Sequence, residues 1–181
     1  MPVQSAATST SDRVAELLEI DERALRSAFG RFATGVTIVT GMSGEESVGF
    51  TCQSFHSVSM SPPLVSIGVM ASSTTYPRLR PSGRFGVCVL NAGQRDLAQR
   101  FARRGDDRWA GIAPAWTERG TPIVPGSIVA FDCAIEAEYT VGDHTLVIGR
   151  VDEILEAGDD LGPLVFFRSG FRGLEAEPLG S

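Results

Sequence analysis

Lysine is absent from this chain, and all 16 of its basic residues are arginine. Schiff-base chemistry, including that of pyridoxal phosphate enzymes, needs a lysine amine, and the P-loop needs a lysine that reaches the terminal phosphates. The sequence therefore excludes both classes of protein. The 22 acidic residues outnumber the arginines and give a formal net charge of −6. A negative field of this kind argues against a nucleic-acid partner and against a membrane surface.

Two common catalytic fingerprints are also missing. No two glycines are separated by a single residue, so the dinucleotide motif Gly-x-Gly-x-x-Gly is absent, and there is no Gly-x-Ser-x-Gly elbow. Histidine occurs only at His56 and His144, so few residues could supply the base of a hydrolytic triad. Any nicotinamide cofactor must therefore bind without a Rossmann fingerprint.

Cysteine is scarce, and its three copies are widely spaced in apolar stretches: Cys52, Cys88 and Cys133. An odd number of such residues without a paired motif indicates free thiols in a reduced, cytoplasmic protein, and no metal site is expected. The sequence shows neither a secretory signal pattern nor an apolar run approaching about 18 residues.

The composition predicts one folded domain. The chain has 181 residues, of which 43% are hydrophobic, within the ordinary range for a single globular unit. The opening residues are small and polar. We therefore expect a flexible leader over residues 1–20, a domain over residues 21–175 and a short tail over residues 176–181.

Patterning predicts a mainly β protein with peripheral helices. A helix should begin after Asp21 and end by Gly35, and a second should span residues 94–104. A short helix is expected within residues 72–83 and an ordered loop over residues 106–125. Strands are expected at residues 36–42, 48–55, 64–70, 84–90, 128–139, 144–154 and 164–168. Because strands and helices do not alternate, an antiparallel barrel fits better than a parallel sheet.

Hydroxyl-bearing residues are concentrated in two segments, residues 47–63 and residues 72–75. Hydroxyls and backbone amides at a strand end can hold a phosphate and the polar edge of a heterocycle. The same groups also serve as local caps and turn contacts. His144 could orient a reacting ring or be incidental to a hairpin turn. Arg100, Arg103 and Arg104 could meet a phosphate or form a self-paired helix end.

Five ordered blocks carry a specific resemblance. They are FGRFATGVTIVT (29–40), GFTCQSFHSVSMSPPLV (49–65), FGVCVLNAGQRDLAQRFA (85–102), GDHTLVIGRV (142–151) and PLVFFRSGFRGL (163–174). At this spacing the chain resembles the flavin reductase components of two-component flavin-dependent monooxygenases, from about Ala24 to Leu174.

The resemblance implies a split β-barrel, of the FMN-binding type, that works as a homodimer with flavin in a groove between subunits. The implied activity is that of an NAD(P)H:flavin oxidoreductase, which passes a hydride from NADH to FAD or FMN and supplies reduced flavin to a monooxygenase partner. The choices between FAD and FMN and between NADH and NADPH stay open. The alternatives are a non-catalytic flavin-binding or interaction protein and an oxidase on the same barrel.

The resemblance also implies which residues meet the cofactors. The expected flavin contacts are Gly35, Val36, Thr37, Thr51, Cys52, Gln53, Ser54, Phe55, Ser57, Ser59, Ser72, Ser73, Phe101 and Arg103. His144 should position the nicotinamide and Arg168 should bind the same dinucleotide, and no residue is expected to act as an essential acid or base. Phe167 and Phe171 stand where many relatives have tyrosine, so a hydroxyl contact is lost there while aromatic stacking is kept.

Overall fold

The structure is a computed structural model that describes residues 21–105, 108–156 and 161–174. The predicted leader, residues 1–20, and the predicted tail, residues 176–181, lie outside the described residues. None of the described helices is both long enough and apolar enough to cross a membrane.

The described residues form short helices and many strands. The helices are α1 (Glu22–Phe29), α2 (Tyr76–Leu79) and α3 (Arg95–Ala102), with single 3₁₀ turns at Arg80–Ser82 and Ala92–Gln94. The first six strands are β1 (Thr34–Gly35), β2 (Thr37–Ser43), β3 (Glu46–Cys52), β4 (His56–Met60), β5 (Pro63–Met70) and β6 (Arg84–Val89). The others are β7 (Ala115–Trp116), β8 (Pro122–Ile123), β9 (Val129–Val141), β10 (His144–Glu156), β11 (Leu164–Phe167) and β12 (Gly170–Gly173).

Seven strands form one antiparallel sheet in the order β3-β2-β6-β9-β10-β5-β4. A three-stranded sheet, β1-β11-β12, and the pair β7-β8 complete the strand pairing of the described residues. The mainly β, antiparallel character predicted from the sequence is confirmed. The terminal strands β3 and β4 are not paired with each other in the described part of the chain, so hydrogen bonds do not close the sheet into a continuous barrel.

The longest pairing is the β9–β10 hairpin, whose tight turn holds Gly142 at φ 58°. Val141 pairs with His144 across this turn, and His144 also pairs with Met70 of β5. The left-handed backbone suits a glycine there, because the residue lacks a Cβ that would clash. The hairpin therefore fixes His144 beside the end of β5.

Both faces of the central strands are covered. Ile38 and Val39 are neighbours on β2, so their side chains point to opposite faces, and each is fully buried. Val39 packs into a cluster with Ile67 and Val147, whereas Ile38 packs with Phe101 of α3 and Leu164 of β11. α3 and the small sheet therefore cover one face, which places the end of α3 next to β3.

Several predicted details were wrong, each because a tertiary partner decided the outcome. The first helix does not extend to Gly35: α1 ends at Phe29, and Gly35 pairs with Val165 in the small sheet instead. α1 buries no residue, and Phe29 at its end is 71% exposed. The serine-rich stretch after β3 contains a strand, β4, that apolar patterning did not predict.

The three cysteines are free and buried, as their spacing predicted. Burial raises the pKa of the Cys88 thiol to about 11 and that of Cys133 to about 12. Burial also raises the pKa of Cys52, which is the cysteine nearest to the end of β3. All three side chains are therefore overwhelmingly protonated at neutral pH.

A buried carboxylate joins the centre of the sheet to the loop after α3. Asp132 of β9 is fully buried and accepts hydrogen bonds from Thr117 Oγ1 at 3.0 Å and Thr121 Oγ1 at 2.8 Å. Its charge is met by Arg84 of β6, whose Nη2 lies 3.0 Å from Asp132 Oδ1. Arg84 Nη1 in turn donates to Asp152 of β10 at 3.0 Å. One ionic group thereby connects three adjacent strands and the segment between β7 and β8.

We expect Asp132→Ala to lower the free energy of unfolding by about 3 kcal/mol or more, because it leaves Arg84 and two threonine hydroxyls without their partner in the interior. Urea denaturation measures the change. Glu45→Ala, which removes an exposed carboxylate from the β2–β3 turn, is the matched control and should stay within about 0.5 kcal/mol of the parent. A loss below about 1 kcal/mol at Asp132 would contradict a structural role for the network.

Candidate functional site

One cleft gathers residues from five parts of the fold. Its volume is about 650 Å³, and it opens where the ends of β3, β5 and α3 meet the start of β10, with α1 at one side. Small-molecule sites commonly have volumes of about 300–1,000 Å³. Its lining comprises Arg26, Phe50, Thr51, Cys52, Gln53, Ser54, Gly68, Val69, Met70, Ser72, Ser73, Thr74, Thr75, Phe101, Ala102, Arg104, Arg108 and His144.

The turn after β3 is attached to β5 by a reciprocal pair of hydrogen bonds. Ser54 Oγ accepts from the Gly68 amide at 2.8 Å and donates to the Gly68 carbonyl at 3.0 Å. A Cβ on Gly68 would lie 3.3 Å from Ser54 Oγ, so the close approach favours a glycine at this position. The contact orders residues 53–55 against the sheet and shapes one wall of the cleft.

The end of β3 is likewise attached to α3. Thr51 Oγ1 donates to the Ala98 carbonyl at 2.6 Å, and the Cys52 sulfur lies 3.1 Å from Ser54 Oγ. Thr51 and Ser54 are therefore not local caps or turn contacts, because their side chains bond to backbone groups of α3 and β5. Each oxygen also lines the cleft, so the bonds fix its position relative to any ligand.

The loop over residues 72–75 forms a further part of the wall. Ser73 Oγ accepts from the Tyr76 amide at 3.2 Å, which caps the start of α2. The Thr75 hydroxyl accepts from Arg108 Nη1 at 2.8 Å, and the same guanidinium donates to the carbonyls of Gly49 and Arg103. Arg108 thereby ties this loop to β3 and to the end of α3.

His144 lies at the β10 side of the cleft with its orientation set by Asp143. His144 Nδ1 and Asp143 Oδ1 are 2.7 Å apart, and the hydrogen bond lowers the pKa of the Asp143 carboxyl. An ionised carboxylate only accepts, so Nδ1 donates in this contact. The contact therefore orients the imidazole at the cleft edge.

The charged lining of the cleft has one sign. Arg26, Arg104 and Arg108 contribute guanidinium groups, and no carboxylate occurs among the described lining residues. In a chain of net charge −6 this local excess favours an anionic ligand. Hydroxyls beside guanidiniums are a donor set suited to phosphate.

A larger opening of about 740 Å³ lies between α2 and the β9–β10 hairpin. Its polar wall is internally satisfied, since Tyr76 donates to Glu138 at 2.6 Å and Arg80 pairs with the same carboxylate at 2.7 Å. None of the predicted site residues lines it. The smaller cleft is therefore the candidate site.

The structure brings eight of the predicted residues to this cleft: Thr51, Cys52, Gln53, Ser54, Ser72, Ser73, Phe101 and His144. The other eight do not line it: Gly35, Val36, Thr37, Phe55, Ser57, Ser59, Arg103 and Arg168. Arg168 lies in a neighbouring cavity that shares Arg26 with the cleft. Whether these residues contact the cofactors stays a prediction.

Three of the residues outside the cleft have clear structural contacts. Thr37 Oγ1 donates to the Cys52 carbonyl at 2.9 Å, so it supports the strand end from behind. Phe55 stacks on Phe131 with ring centroids 5.6 Å apart. Arg103 ends α3 and offers its carbonyl to Arg108 at 3.0 Å.

Sequence reasoning missed Arg26 and Arg108 as site residues. Arg26 reaches the cleft only because α1 lies against it, and no spacing in the sequence reports that placement. Arg108 follows Asp106 and Asp107 in the sequence, a pattern typical of a solvated, self-paired helix end. Its contacts with β3 and the loop before α2 join residues 59 and 33 positions away, which local patterning does not reveal.

Comparison with known proteins gives this geometry a context. Residues 29–175, well over half of the chain, match the family described as flavin reductase like domain. The chain belongs to this family. The resemblance inferred from the five sequence blocks is thereby confirmed.

Individual relatives agree with the family match. This flavin reductase like chain is 38% identical over 160 residues to the reductase subunit HsaB of a flavin-dependent monooxygenase from Mycobacterium tuberculosis, covering 88% of this chain and 86% of the relative. It is 38% identical over 162 residues to an NADH-dependent flavin reductase from a Rhodococcus species, covering 87% and 89%. The solved structure of an NADH:FAD oxidoreductase from Streptomyces globisporus, in complex with NAD and FAD fragments, superposes with a TM-score of 0.79 at 34% identity, covering 98% and 100%.

Proposed function

We propose that this chain is an NAD(P)H-dependent flavin reductase that transfers a hydride from NADH to FAD or FMN and supplies the reduced flavin to a partner monooxygenase. One observation carries the proposal: a single cationic cleft unites the polar end of β3, the hydroxyl loop before α2 and His144, in a member of the flavin reductase like family. The NADH-dependent reductase and the monooxygenase reductase subunit among its relatives support the donor and the partner.

The residues present fit a flavin nucleotide. Gln53 and the ordered hydroxyls of Thr51 and Ser54 suit the polar ring edge and the ribityl chain, while Ser72 and Ser73 lie near Arg104 and Arg108 for the phosphate. Cys52 and Phe101 form neighbouring parts of the cleft wall. The hydroxyls carry no net charge and no lysine clamps the phosphate, which suits a flavin that binds and leaves.

The hydride transfer requires little from the protein beyond positioning the two cofactors. When bound, the nicotinamide and the flavin supply both ends of the hydride transfer. The chain's residues orient the two rings in contact, an effect worth up to about 7–11 kcal/mol of the barrier in favourable systems. His144, fixed by Asp143, orients the nicotinamide side and need not gain or lose a proton.

We also propose that the chain is a homodimer and that the split barrel is completed as a flavin site between subunits. Side chains at alternate positions share a face, so Leu146 lies on the same face of β10 as His144, and Tyr139 pairs with Leu146 across the hairpin. Leu146 and Tyr139 are 36% and 56% exposed beside the cleft. Ser57 and Ser59 lie outside this chain's own cleft, and their predicted flavin contacts would require a ligand that extends toward a second subunit.

The direct test is an anaerobic mixture of the protein, NADH and free flavin. We expect rapid loss of flavin absorbance near about 450 nm, since hydride transfer destroys the oxidised chromophore. A rate comparison with NADH or NADPH and with FAD or FMN assigns the preferred pair. Flavin binding without bleaching with either nicotinamide would instead identify a binding protein, and turnover with another reductant only would favour an oxidase.

We expect His144→Ala to raise the KM for NADH about tenfold, the effect of losing one contact worth about 1.4 kcal/mol, and to change the flavin Kd less than about twofold. Steady-state kinetics and flavin fluorescence titration measure the two quantities. His56→Ala is the matched control, because His56 is exposed on β4 and does not line the cleft. Equal losses in NADH and flavin binding would contradict the proposed role of His144 in positioning the nicotinamide.

The dimer is tested by sedimentation velocity. Leu146→Arg should produce monomers, since a charge at a packed apolar contact is costly to bury. Leu161→Arg, at a leucine that is 46% exposed and outside the cleft, should leave the dimer intact. A monomeric parent protein, or a dimer unaffected by either change, would contradict the proposed interface.

A further inference from the structure

A second cavity lies next to the cleft, on the other side of Arg26. It has a volume of about 470 Å³, and we call it the arginine pocket because its charged lining consists of Arg23, Arg26, Arg31 and Arg168, with Ser27 and Ser169 as hydroxyls. No acidic residue occurs among the described lining residues. The proposed flavin contacts use neither Arg23 nor Arg31, so these two arginines have no role in the site described above.

The concentration of charge is unusual for this chain. Four of its 16 arginines line one small cavity, although the net charge is −6. The ion pair within α1, between Arg26 and Glu22 at 2.6 Å, has both side chains exposed and is screened by water. Like charges held together repel, and an anion placed among them relieves that repulsion.

Backbone geometry holds one wall of the arginine pocket. Arg168 and Ser169 form the two-residue turn between β11 and β12, and their φ angles are 48° and 59°. Such left-handed pairs are usually built from asparagine and glycine, because longer side chains adopt this backbone reluctantly. The Arg168 amide donates to the Gly30 carbonyl at 2.7 Å, which fixes the turn against the end of α1.

The arginine pocket adjoins the cleft on the side of α1. Arg26 lines both cavities. It also interacts electrostatically with Asp143, the residue that orients His144. A ligand whose ring lies near His144 could therefore extend past Arg26 toward Arg23 and Arg31.

We propose that the arginine pocket binds phosphate groups on the adenosine half of the hydride donor, with Arg23 and Arg31 as contacts in addition to Arg168. The identity of this ligand rests on the proposed function. Guanidinium groups bind phosphate oxygens through paired N–H donors, and serine hydroxyls complete such a set. Two phosphates of the donor share this chemistry: the pyrophosphate, common to NADH and NADPH, and the 2′-phosphate, present only in NADPH.

The test is calorimetric binding of 5′-ADP and 2′,5′-ADP to the full chain and to the double variant Arg23→Gln/Arg31→Gln. We expect at least about tenfold weaker binding of one or both probes to the variant, because charge-assisted hydrogen bonds are lost. A loss confined to 2′,5′-ADP assigns the pocket to the 2′-phosphate and predicts a matching rise in KM for NADPH alone. An equal loss for both probes assigns it to the pyrophosphate, with KM rising for both donors.

The matched control is Arg78→Gln/Arg119→Gln, which removes the same two charges from residues that line neither cavity. Unchanged affinity of the first variant for both probes, or a loss no larger than in the control, would overturn the proposal. A parallel fall in flavin affinity would also overturn it, since it would report general damage to the site. Because the probes carry no nicotinamide, a protein that fails to bleach flavin would refute the proposed function while leaving this binding result intact.

Discussion

The fold depends on one buried ionic group, the carboxylate of Asp132 with Arg84 beside it. A charge at zero exposure in the centre of β9 is tolerated only because threonine hydroxyls and a guanidinium surround it. Those partners come from β6 and from the segment between β7 and β8, and Arg84 continues to β10. The group therefore fixes how β9 and β10 lie against the rest of the sheet, and with them the long hairpin that carries His144.

The cleft depends on contacts of a different kind. Its hydroxyls are placed by short bonds to backbone groups, Thr51 to Ala98 and Ser54 to Gly68. Arg108 spans from β3 to the loop before α2. Most of the polar lining is thus ordered before any ligand arrives, which reduces the conformational cost of binding. A preformed cleft lined by hydroxyls suits a reaction in which both substrates must enter and leave.

The sequence alone predicted the regular strands and the centre of the site. β2, β5, β9 and β10 appeared as apolar runs, and the residues after β3 were recognised as a polar strand end. β4 was not predicted, since its exposed serines carry no apolar periodicity, and its existence depends on pairing with β5. The end of α1 was misplaced because Gly35 is used by a strand partner more than 100 residues later in the chain.

Sequence patterns likewise did not predict which arginines line the cleft. Arg26 and Arg108 are polar residues in helical or loop sequence, where solvation is the ordinary outcome, and only the packing of α1 and the loop after α3 turns them toward the cleft. The spacing of residues along a helix or strand indicates which face a residue occupies. It does not indicate which part of the chain packs against that face. Cationic lining is therefore a property of the assembled chain.

The burial of the three thiols also bears on the reaction of reduced flavin with oxygen. Reduced flavin that meets dioxygen yields hydrogen peroxide, and peroxide attacks cysteine through its thiolate form. With the pKa values of Cys88 and Cys133 near about 11 and 12, and that of Cys52 also raised, thiolate is scarce at neutral pH even at the edge of the cleft. These three buried thiols are consequently poor targets for the peroxide that forms when a reduced flavin escapes capture.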